Sequence, residues 1–466
     1  MNWGKKHVFL LVVVALLAGA FTANATGFDE SNIVLRFGML SDLHSATGMP
    51  KFEEAIRQLY LQAGDEKLDA IVVAGDLTDN GTREEIQSLK LVLDRQGLSD
   101  KGTEFIFTLG NHDTLYDKDP YNGILFKQIL KDYSFKGATE DEIRNGNHHI
   151  EINGYHFLAL NCKKYNGGAE YATEDLAWLV AKLEEAVQAD PSKPIFLATH
   201  PVVYNTTYGS VDGTYWHTTN LDPVIKDYPQ VMVFSGHLHF PLNSERSIFQ
   251  GDYTTLNTAS TYYCSLEGEI DGVRPIETGG GMEPRDRNNF SQGLYLEVDG
   301  AGNTRITKMD FFRKTTIKEP WIIPAPQADK SHLKVYDLAT REANNTAPYF
   351  PEGASVQILG LSKTKLDVEF DTALDDDLVY YYEVHLLDQD TGKPAGKNYA
   401  ITYSDFYRNP DPTQMEKRAF RAFDGGAFRI LFNEFNTNKN YVIKVVAVDS
   451  FGLKSEPIYS DPNFPL

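Results

Sequence analysis

Seven side chains that can bind a metal ion follow short apolar segments of this sequence. They are Asp42, His44, Asp76, Asn111, His200, His237 and His239. The stretch TLGNHDT at residues 108–114 shows the pattern, because the apolar run Phe105-Ile106-Phe107 leads into it. A turn would explain one such stretch, since Gly and Asn favour turns and Asp caps helices. A metal site would also explain it, since Asn, His and Asp all offer lone pairs to a cation.

The types of these side chains restrict the chemistry. Imidazole and carboxylate ligands together suit Zn, Fe or Mn better than Ca or Mg. Seven ligands are more than one first-row ion uses, but they suit two ions. Two ions about 3.5–4 Å apart can clamp a phosphate group and activate a water molecule between them. The set therefore predicts a site for two divalent or trivalent transition-metal ions, which could act on a phosphate group.

The elements that must position these residues alternate along the chain. Apolar runs with the length of buried strands cover residues 33–41, 69–75, 104–109, 195–198 and 231–234. Helical spacing at 51–63 and 173–188, and a capping box from Thr82 to Glu85, predict helices between them. This alternation predicts an α/β sheet covered on both faces. Ligands in such sheets bind beyond the carboxyl ends of the strands, so the seven side chains are expected to converge.

Composition limits the partners. The chain has 466 residues, with 44 Lys and Arg against 65 Asp and Glu, a net charge of −21. This length allows several domains with ample core. Such an acidic surface repels nucleic acids and anionic membranes, so neither is expected as a partner. A small-molecule phosphate ester would need local positive charge, which bound metal could supply.

The N-terminus has the features of a targeting segment. Lys5 and Lys6 precede an apolar run from Val8 to Phe21, and Ala23-Asn24-Ala25 follows as a small-x-small cleavage pattern. Residues 1–25 are therefore predicted to be a signal peptide, with an uncleaved anchor as the alternative. We expect the protein to be exported to the periplasm or the exterior of a bacterial cell, without stable membrane insertion. The two cysteines, Cys162 and Cys264, are either a disulfide or two buried thiols.

Five motifs occur along the chain in the same order as in a known protein family. They are Asp42-Leu43-His44, GDLTDNG at 75–81, GNHD at 110–113, THP at 199–201 and GHLH at 236–239. Together they resemble the calcineurin-like metallophosphoesterases, over about residues 33–300. The resemblance implies a domain over residues 26–325, built as a four-layer α-β-β-α sandwich of two mixed sheets with helices outside.

The resemblance also implies roles for the ligands. One metal ion would be held by Asp42, His44 and His239. The other would be held by Asn111, His200 and His237, and Asp76 would bridge the two.

The remaining residues of the motifs would act on the substrate. His112 would be the general acid or a cation that contacts the phosphate, and Asp79 would orient and charge it. Asp113 is interpreted as a supporting residue or a helix cap. Purple acid phosphatases have a tyrosine ligand at the position of Asp79, so a purple Fe(III) site is not expected. Ser/Thr protein phosphatases have an arginine at the position of Leu109, so that class is not expected either.

An insert between two ligand motifs, YNTTYGSVDGTYWHTTNLDP at 204–223, should lie over the site. Its Trp216 and His217 are the candidate substrate-binding residues. The alternative is a surface loop that only packs.

Short β-like runs and turn-rich gaps predict a second domain. Residues 326–346 are predicted to be a linker, and residues 347–466 resemble a fibronectin type III-like β-sandwich, most clearly over 441–455.

Two classes of function remain open. The first is an exported dinuclear phosphoesterase, with phosphodiesters slightly favoured over phosphomonoesters. The second is a non-catalytic cell-surface binding protein that reuses the fold. A missing ligand or a missing His112 would have favoured the second class, and neither is missing. The sequence leaves the physiological substrate, the oligomeric state and the role of the second domain open.

Overall fold

The structure is a computed structural model. It describes residues 27–45, 47–115, 123–165, 168–213, 215–278, 281–396, 399–411 and 416–461. The predicted signal peptide lies outside these residues. Within them, no helix combines the length and the apolar character needed to cross a bilayer.

The first domain alternates strands and helices. Its strands are β1 (Ile33–Leu40), β2 (Ala70–Ala74), β3 (Glu104–Thr108), β4 (His148–Ile152), β5 (Tyr155–Leu160), β6 (Ile195–Thr199), β7 (Val202–Val203), β8 (His217–Thr218), β9 (Val231–Ser235), β10 (Ile248–Gln250), β11 (Thr254–Asn257), β12 (Gln292–Asp299), β13 (Thr304–Asp310), β14 (Thr315–Thr316) and β15 (Trp321–Ile323). Its helices are α1 (Met49–Ala63), α2 (Arg83–Gln96), α3 (Leu98–Lys101), α4 (Ile124–Leu130), α5 (Glu140–Asn145), α6 (Thr173–Ala189) and α7 (Asp222–Ile225). The five strands and three helices expected from the sequence are confirmed, including the capping box at the start of α2.

Two mixed sheets form the centre of this domain. Their strand orders are β14-β13-β12-β1-β2-β3, with β15 also paired to β13, and β10-β11-β9-β6-β5-β4. The ring of Phe37 on β1 lies 5.0 Å from that of Phe157 on β5 and 4.8 Å from that of Phe196 on β6, so the sheets pack face to face. Helices α1, α2 and α4 cover the first sheet, and α6 and α7 cover the second. The four-layer α-β-β-α sandwich is confirmed.

The C-terminal domain is all-β apart from one helix. After α8 (Leu338–Asn344) come β16 (Val356–Leu361), β17 (Lys365–Asp371), β18 (Val379–Asp388), β19 (Ala400–Tyr403), β20 (Arg418–Asp424), α9 (Gly425–Leu431), β21 (Tyr441–Asp449) and β22 (Ile458–Tyr459). The strands form two antiparallel sheets, β16-β17-β20 and β19-β18-β21-β22. Side chains of both sheets share one apolar core, as the predicted small sandwich requires.

The segment that joins the domains packs against the first one. His332 and Leu333 are buried, and the side chain of Gln250 donates to the His332 carbonyl and accepts from the Tyr336 N–H. The C-terminal domain also contributes Tyr403 and other aromatic side chains to the core between the two large sheets. The two domains are therefore joined by packed apolar surface.

The cysteines are two buried free thiols. Cys264 belongs to the core between the large sheets, whereas Cys162 lies in the core between the second sheet and its helices. The second sheet lies between the two thiols. Of the two alternatives, a disulfide or two buried thiols, the structure therefore has the buried thiols.

Candidate metal centre

The ends of five strands meet at one edge of the two sheets. The residues that follow β1, β2, β3, β6 and β9 include all seven candidate ligands, as expected for a strand-end site. The ligand atoms of one group lie within 4.8 Å of one another, and those of a second group do the same. The first group is Asp42, His44, Asp76 and His239, and the second is Asp76, His200 and His237. The amide oxygen of Asn111 lies 3.1 Å from Nε2 of His200, so the structure brings all seven side chains together.

The backbone at most of these residues is strained. Five of the seven have φ between 47° and 70°, in the left-handed region that non-glycine residues rarely adopt. They are Asp42, His44, Asp76, His237 and His239. Each such residue costs on the order of 1–3 kcal/mol, and such strain is concentrated at functional sites. Hydrogen bonds hold the first two loops in this form, since the N–H groups of Leu43 and His44 both donate to the Asp76 carbonyl.

The carboxylate of Asp42 has one satisfied and one free oxygen. Its Oδ2 accepts from the hydroxyl of Ser41 at 2.6 Å and from the N–H of His237 at 3.1 Å. Its Oδ1 has no hydrogen-bond partner among the described residues and lies 2.8 Å from Nε2 of His239. Burial opposes ionisation, but the charge of His239 holds the pKa of Asp42 below its usual range. Oδ1 is therefore the oxygen available to a metal ion, and it faces an imidazole that could bind the same ion.

His200 is held for ligation by its other nitrogen. Its Nδ1 donates to the Ala74 carbonyl at 2.8 Å, which leaves Nε2 3.2 Å from Oδ2 of Asp76. Burial opposes protonation, but the Asp76 carboxylate raises the pKa of His200 to about 9. Burial and the nearby charge of His200 lower the pKa of His237 to about 3. Two buried carboxylates thus pack against buried imidazoles, which are side-chain types of a transition-metal site.

These side chains fit a pair of metal ions. Buried polar atoms in folded proteins nearly always have partners, yet Oδ1 of Asp42 and Nε2 of His44 have none in the part of the chain that the structure describes. Both atoms are ligand types for Zn, Fe and Mn. Asp76 belongs to both groups, so its carboxylate could contact two ions. The arrangement is thus a possible dinuclear site.

Two glycines let the loops approach this closely. A Cβ atom at Gly236 would lie 1.7 Å from Oγ of Ser41 and 2.6 Å from Oδ2 of Asp42. A Cβ atom at Gly110 would lie 2.1 Å from Oδ1 of Asp76. Any larger residue at either position would displace a candidate ligand.

Asp79 contacts two histidines of the site. It was expected to orient and charge His112, and Oδ1 of its carboxylate lies 2.9 Å from Nδ1 of His44. His112 instead donates from Nδ1 to the backbone carbonyl of Asp79 at 2.8 Å. Asp79 therefore holds His112 through its backbone carbonyl, while its carboxylate is occupied by His44. The carboxylate of Asp79 therefore acts on a candidate metal ligand.

Asp113 braces the loops and is not a member of either ligand group. Its carboxylate accepts from the N–H groups of Leu77, Thr78 and Gly110 and from the Thr78 hydroxyl. It therefore joins the loop after β2 to the loop after β3.

Residues 35–241 match the family model described as calcineurin-like phosphoesterase. The matched range contains all seven candidate ligands of the strand-end site. A relative from Rhodococcus erythropolis, named "probable cyclic nucleotide phosphodiesterase", is 24% identical over 213 residues, which are 46% of this chain and 64% of the relative. The chain thus spans less than two thirds of that relative's length.

Two solved structures are similar to the chain at low identity. A purple acid phosphatase from yellow lupin (Lupinus luteus) seeds is 13% identical, with a TM-score of 0.41 over 64% of this chain and 54% of its own. The anchor protein GAP50 of the inner membrane complex of Plasmodium is 12% identical, with a TM-score of 0.39 over 64% of this chain and 90% of its own.

A cavity of about 540 Å³ opens above the ligand groups of the first domain. Asp76, Asn111, His112, His237 and His239 form its floor. Its walls contain the side chains of Tyr215, Trp216, Tyr263, Met282 and Arg287.

The two candidate substrate-binding residues separate in the structure. Trp216 lines the cavity, and its ring lies 4.8 Å from that of His237. His217 is buried and is not among the described residues that line the cavity. Its Nδ1 bonds the Asp212 carbonyl at 3.1 Å, and its ring lies 4.6 Å from that of Tyr204. The structure therefore gives His217 packing contacts away from the cavity, and its role in substrate binding stays a prediction.

One wall of the cavity was not expected from the sequence. Tyr263, Met282 and Arg287 lie in the long connection between β11 and β12. This connection has no hydrophobic periodicity, and only its unusual length was a signal, since long structureless connections in compact domains are often functional.

Proposed function

We propose that this protein is an exported hydrolase of phosphate esters that binds two transition-metal ions, Mn, Fe or Zn, at the strand-end site. The observation that carries the proposal is the position of Asp76, which is shared by two groups of buried ligand side chains on the floor of an open cavity. Dinuclear sites of this composition are suited to phosphoryl chemistry.

Each side chain has a defined task in the proposed reaction. When bound, two ions supply charge that neutralises phosphoryl oxygens and activates water. Asp76 would contact both ions, and Ser41 and the N–H of His237 bind Oδ2 of Asp42, which leaves its Oδ1 for a metal ion. His112 lines the cavity, and its Nδ1 is held by a carbonyl, so Nε2 is the atom that can give a proton to the leaving oxygen.

Phosphodiesters are the favoured substrates within this proposal. The cavity offers aromatic surface on two sides, from Trp216 and from Tyr263, which suits a phosphorus atom with two organic substituents. The name of the Rhodococcus relative points the same way.

Hydrolysis of matched chromogenic esters tests the proposal. The full-length protein is assayed on bis-p-nitrophenyl phosphate and on p-nitrophenyl phosphate, with Mn, Zn or Fe supplied separately. We expect metal-dependent turnover of both, with the larger kcat/KM for the diester, and loss of both activities in Asp76→Asn. A larger kcat/KM for the monoester would establish a phosphomonoesterase. Metal-loaded protein that hydrolyses neither ester would support a binding protein instead.

Export and the nature of the second domain belong to the same proposal. The basic, apolar and small-residue pattern of residues 1–25 supports export. The antiparallel strand arrangement supports a fibronectin type III-like C-terminal domain. Cell fractionation with N-terminal sequencing of the exported form tests the first point, and retention of residues 1–25 in that form would contradict cleavage.

A further inference from the structure

The wall of the cavity that the sequence did not predict is one segment, residues 262–290, called here the wall segment. The ammonium of Lys51 on α1 binds both of its ends, since it donates to the carbonyls of Tyr262, Asn288 and Phe290. The N–H of Ser265 donates to the carbonyl of His239 at 3.0 Å. The wall segment is therefore anchored to the phosphoesterase domain beside a candidate metal ligand.

The middle of the wall segment is bound by the C-terminal sandwich. Glu277 accepts from the Thr402 hydroxyl at 2.5 Å and from the Tyr403 N–H at 3.1 Å. Glu267 accepts from the hydroxyl of Tyr380 through its carboxylate and from that of Tyr403, at 2.6 Å, through its carbonyl. Because these contacts join acids of the wall to the sandwich, the second domain holds the wall in place.

The contact nearest to the cavity involves Asp286. Its carboxylate lies 2.6 Å from Nε of Arg408 and accepts from the Tyr407 hydroxyl at 3.2 Å. Both partners belong to the short helical turn that follows β19. The next residue along the chain is Arg287, whose side chain lines the cavity. The sandwich therefore fixes the backbone from which Arg287 extends.

Arg287 supplies positive charge to the lining of the cavity. It is the only Lys or Arg among the described residues that line it, in a protein of net charge −21. Its guanidinium carries five N–H donors, which suits bidentate binding of a carboxylate or phosphate. It lies 5.9 Å from the ring of Tyr263, whose centroid lies 4.1 Å from that of His239. One tyrosine thus separates Arg287 from the ligand groups, at the outer part of the cavity.

The ion pair between Arg287 and Glu283 does not prevent Arg287 from binding an anionic group. Arg287 forms an ion pair with Glu283, and the side chains are 46% and 41% exposed. Exposed ion pairs of this kind are worth little, so an anionic group of a substrate can compete for the guanidinium.

We propose that Arg287 binds an anionic group of the substrate remote from the reacting phosphorus, and that Arg408 of the C-terminal sandwich positions Arg287 through Asp286. The substrates are then phosphodiesters with a second negative charge on one substituent. This inference rests on the proposed function. The second domain is part of the substrate site and sets its specificity.

Two diesters of p-nitrophenol test the role of Arg287. Their second alcohol ends either in a carboxylate or in the corresponding methyl ester, so only the remote charge differs. We expect wild-type protein to prefer the carboxylate, and Arg287→Gln to lower the carboxylate-to-ester ratio of kcat/KM by about 10- to 100-fold, mainly through KM. An unchanged ratio in Arg287→Gln would overturn the inference while the proposed function stands. Hydrolysis of neither diester by metal-loaded wild-type protein would overturn both.

Variants of the sandwich test the positioning step in the full-length chain. Arg408→Gln should lower the same ratio, and Arg408→Lys should restore part of it. Tyr407→Phe removes only the hydroxyl that reaches Asp286 and should give a smaller loss of the same kind. Arg418→Gln is the matched control, because Arg418 pairs with Glu369 and Asp371 within the sandwich and should keep the wild-type ratio. A ratio unchanged in Arg408→Gln and Tyr407→Phe, or lowered equally in Arg418→Gln, would overturn the positioning role.

Discussion

Oδ1 of Asp79 lies 2.9 Å from Nδ1 of His44, so the carboxylate bonds the nitrogen of this imidazole that is remote from the ligand group. Nε2 of His44 is the buried atom without a partner among the described residues. A carboxylate behind an imidazole fixes the ring and raises its basicity toward a metal ion.

We therefore predict that Asp79→Asn weakens metal binding. The affinity for the more weakly bound ion should fall by about 10- to 100-fold, since that is the usual cost of losing such a partner. Titration of metal-free protein by calorimetry measures it. Asp94→Asn is the control, because Asp94 bonds Lys90 on the surface of α2. Unchanged affinities in Asp79→Asn would contradict this role.

Asp76 and His44 should differ in their effect on metal content. Asp76 belongs to both ligand groups, whereas His44 shares only one of them with it. Asp76→Asn should therefore reduce occupancy at both positions, and His44→Ala mainly at one. Elemental analysis of purified protein measures this, with two ions per chain expected for the wild type. One ion in fully loaded wild-type protein would rule out the dinuclear site.

The role of His112 can be separated from metal binding. His112→Asn should leave both ions bound and lower kcat by about 10²–10⁴-fold for esters with poor leaving groups, because those need a proton at the leaving oxygen. The defect should shrink for p-nitrophenolate, which leaves without one. A series of leaving groups of different pKa measures the trend. Equal defects across the series would indicate that His112 binds the phosphate, and loss of an ion would make it a ligand.

Close packing at Gly236 predicts a stability change without any assay of activity. Gly236→Ala places a Cβ atom against Ser41 and Asp42, and overpacking of this kind costs about 1–3 kcal/mol of unfolding free energy. Urea unfolding of metal-free protein measures it. The same substitution at Gly426, on α9, meets no atom within 4 Å and should stabilise by about 0.5–1 kcal/mol. Equal effects of the two variants would contradict the close approach.

The parts of the structure that the sequence predicted depend on local patterns. Strand burial and helix capping act over a few neighbouring residues. The sequence therefore predicted the strand before Asp42 and the capping box from Thr82 to Glu85. The convergence of the ligands follows from the geometry of parallel strands. The motifs thus identified the residues that form the floor of the cavity.

The parts that it missed depend on contacts between distant residues. Arg287 reaches the cavity because Asp286 binds Arg408, 122 residues away in the chain, and no periodicity encodes that pairing. The motif placed Asp79 near His112, but it could not tell whether the carboxylate or the carbonyl would make the contact. Trp216 and His217 are adjacent in sequence, but only His217 lies on β8, and no local pattern shows which of the two faces the ligands.

The aromatic surface shared between the two domains bears on how this chain could have arisen. Tyr403 and Phe406 of the sandwich pack in the same core as Leu266 and Phe290 of the phosphoesterase domain. The sandwich has a core of its own, but it would also expose these apolar side chains if it were separated from the first domain. The two domains would therefore be inherited together, and exchange of the sandwich for another of the same fold would require a new wall segment.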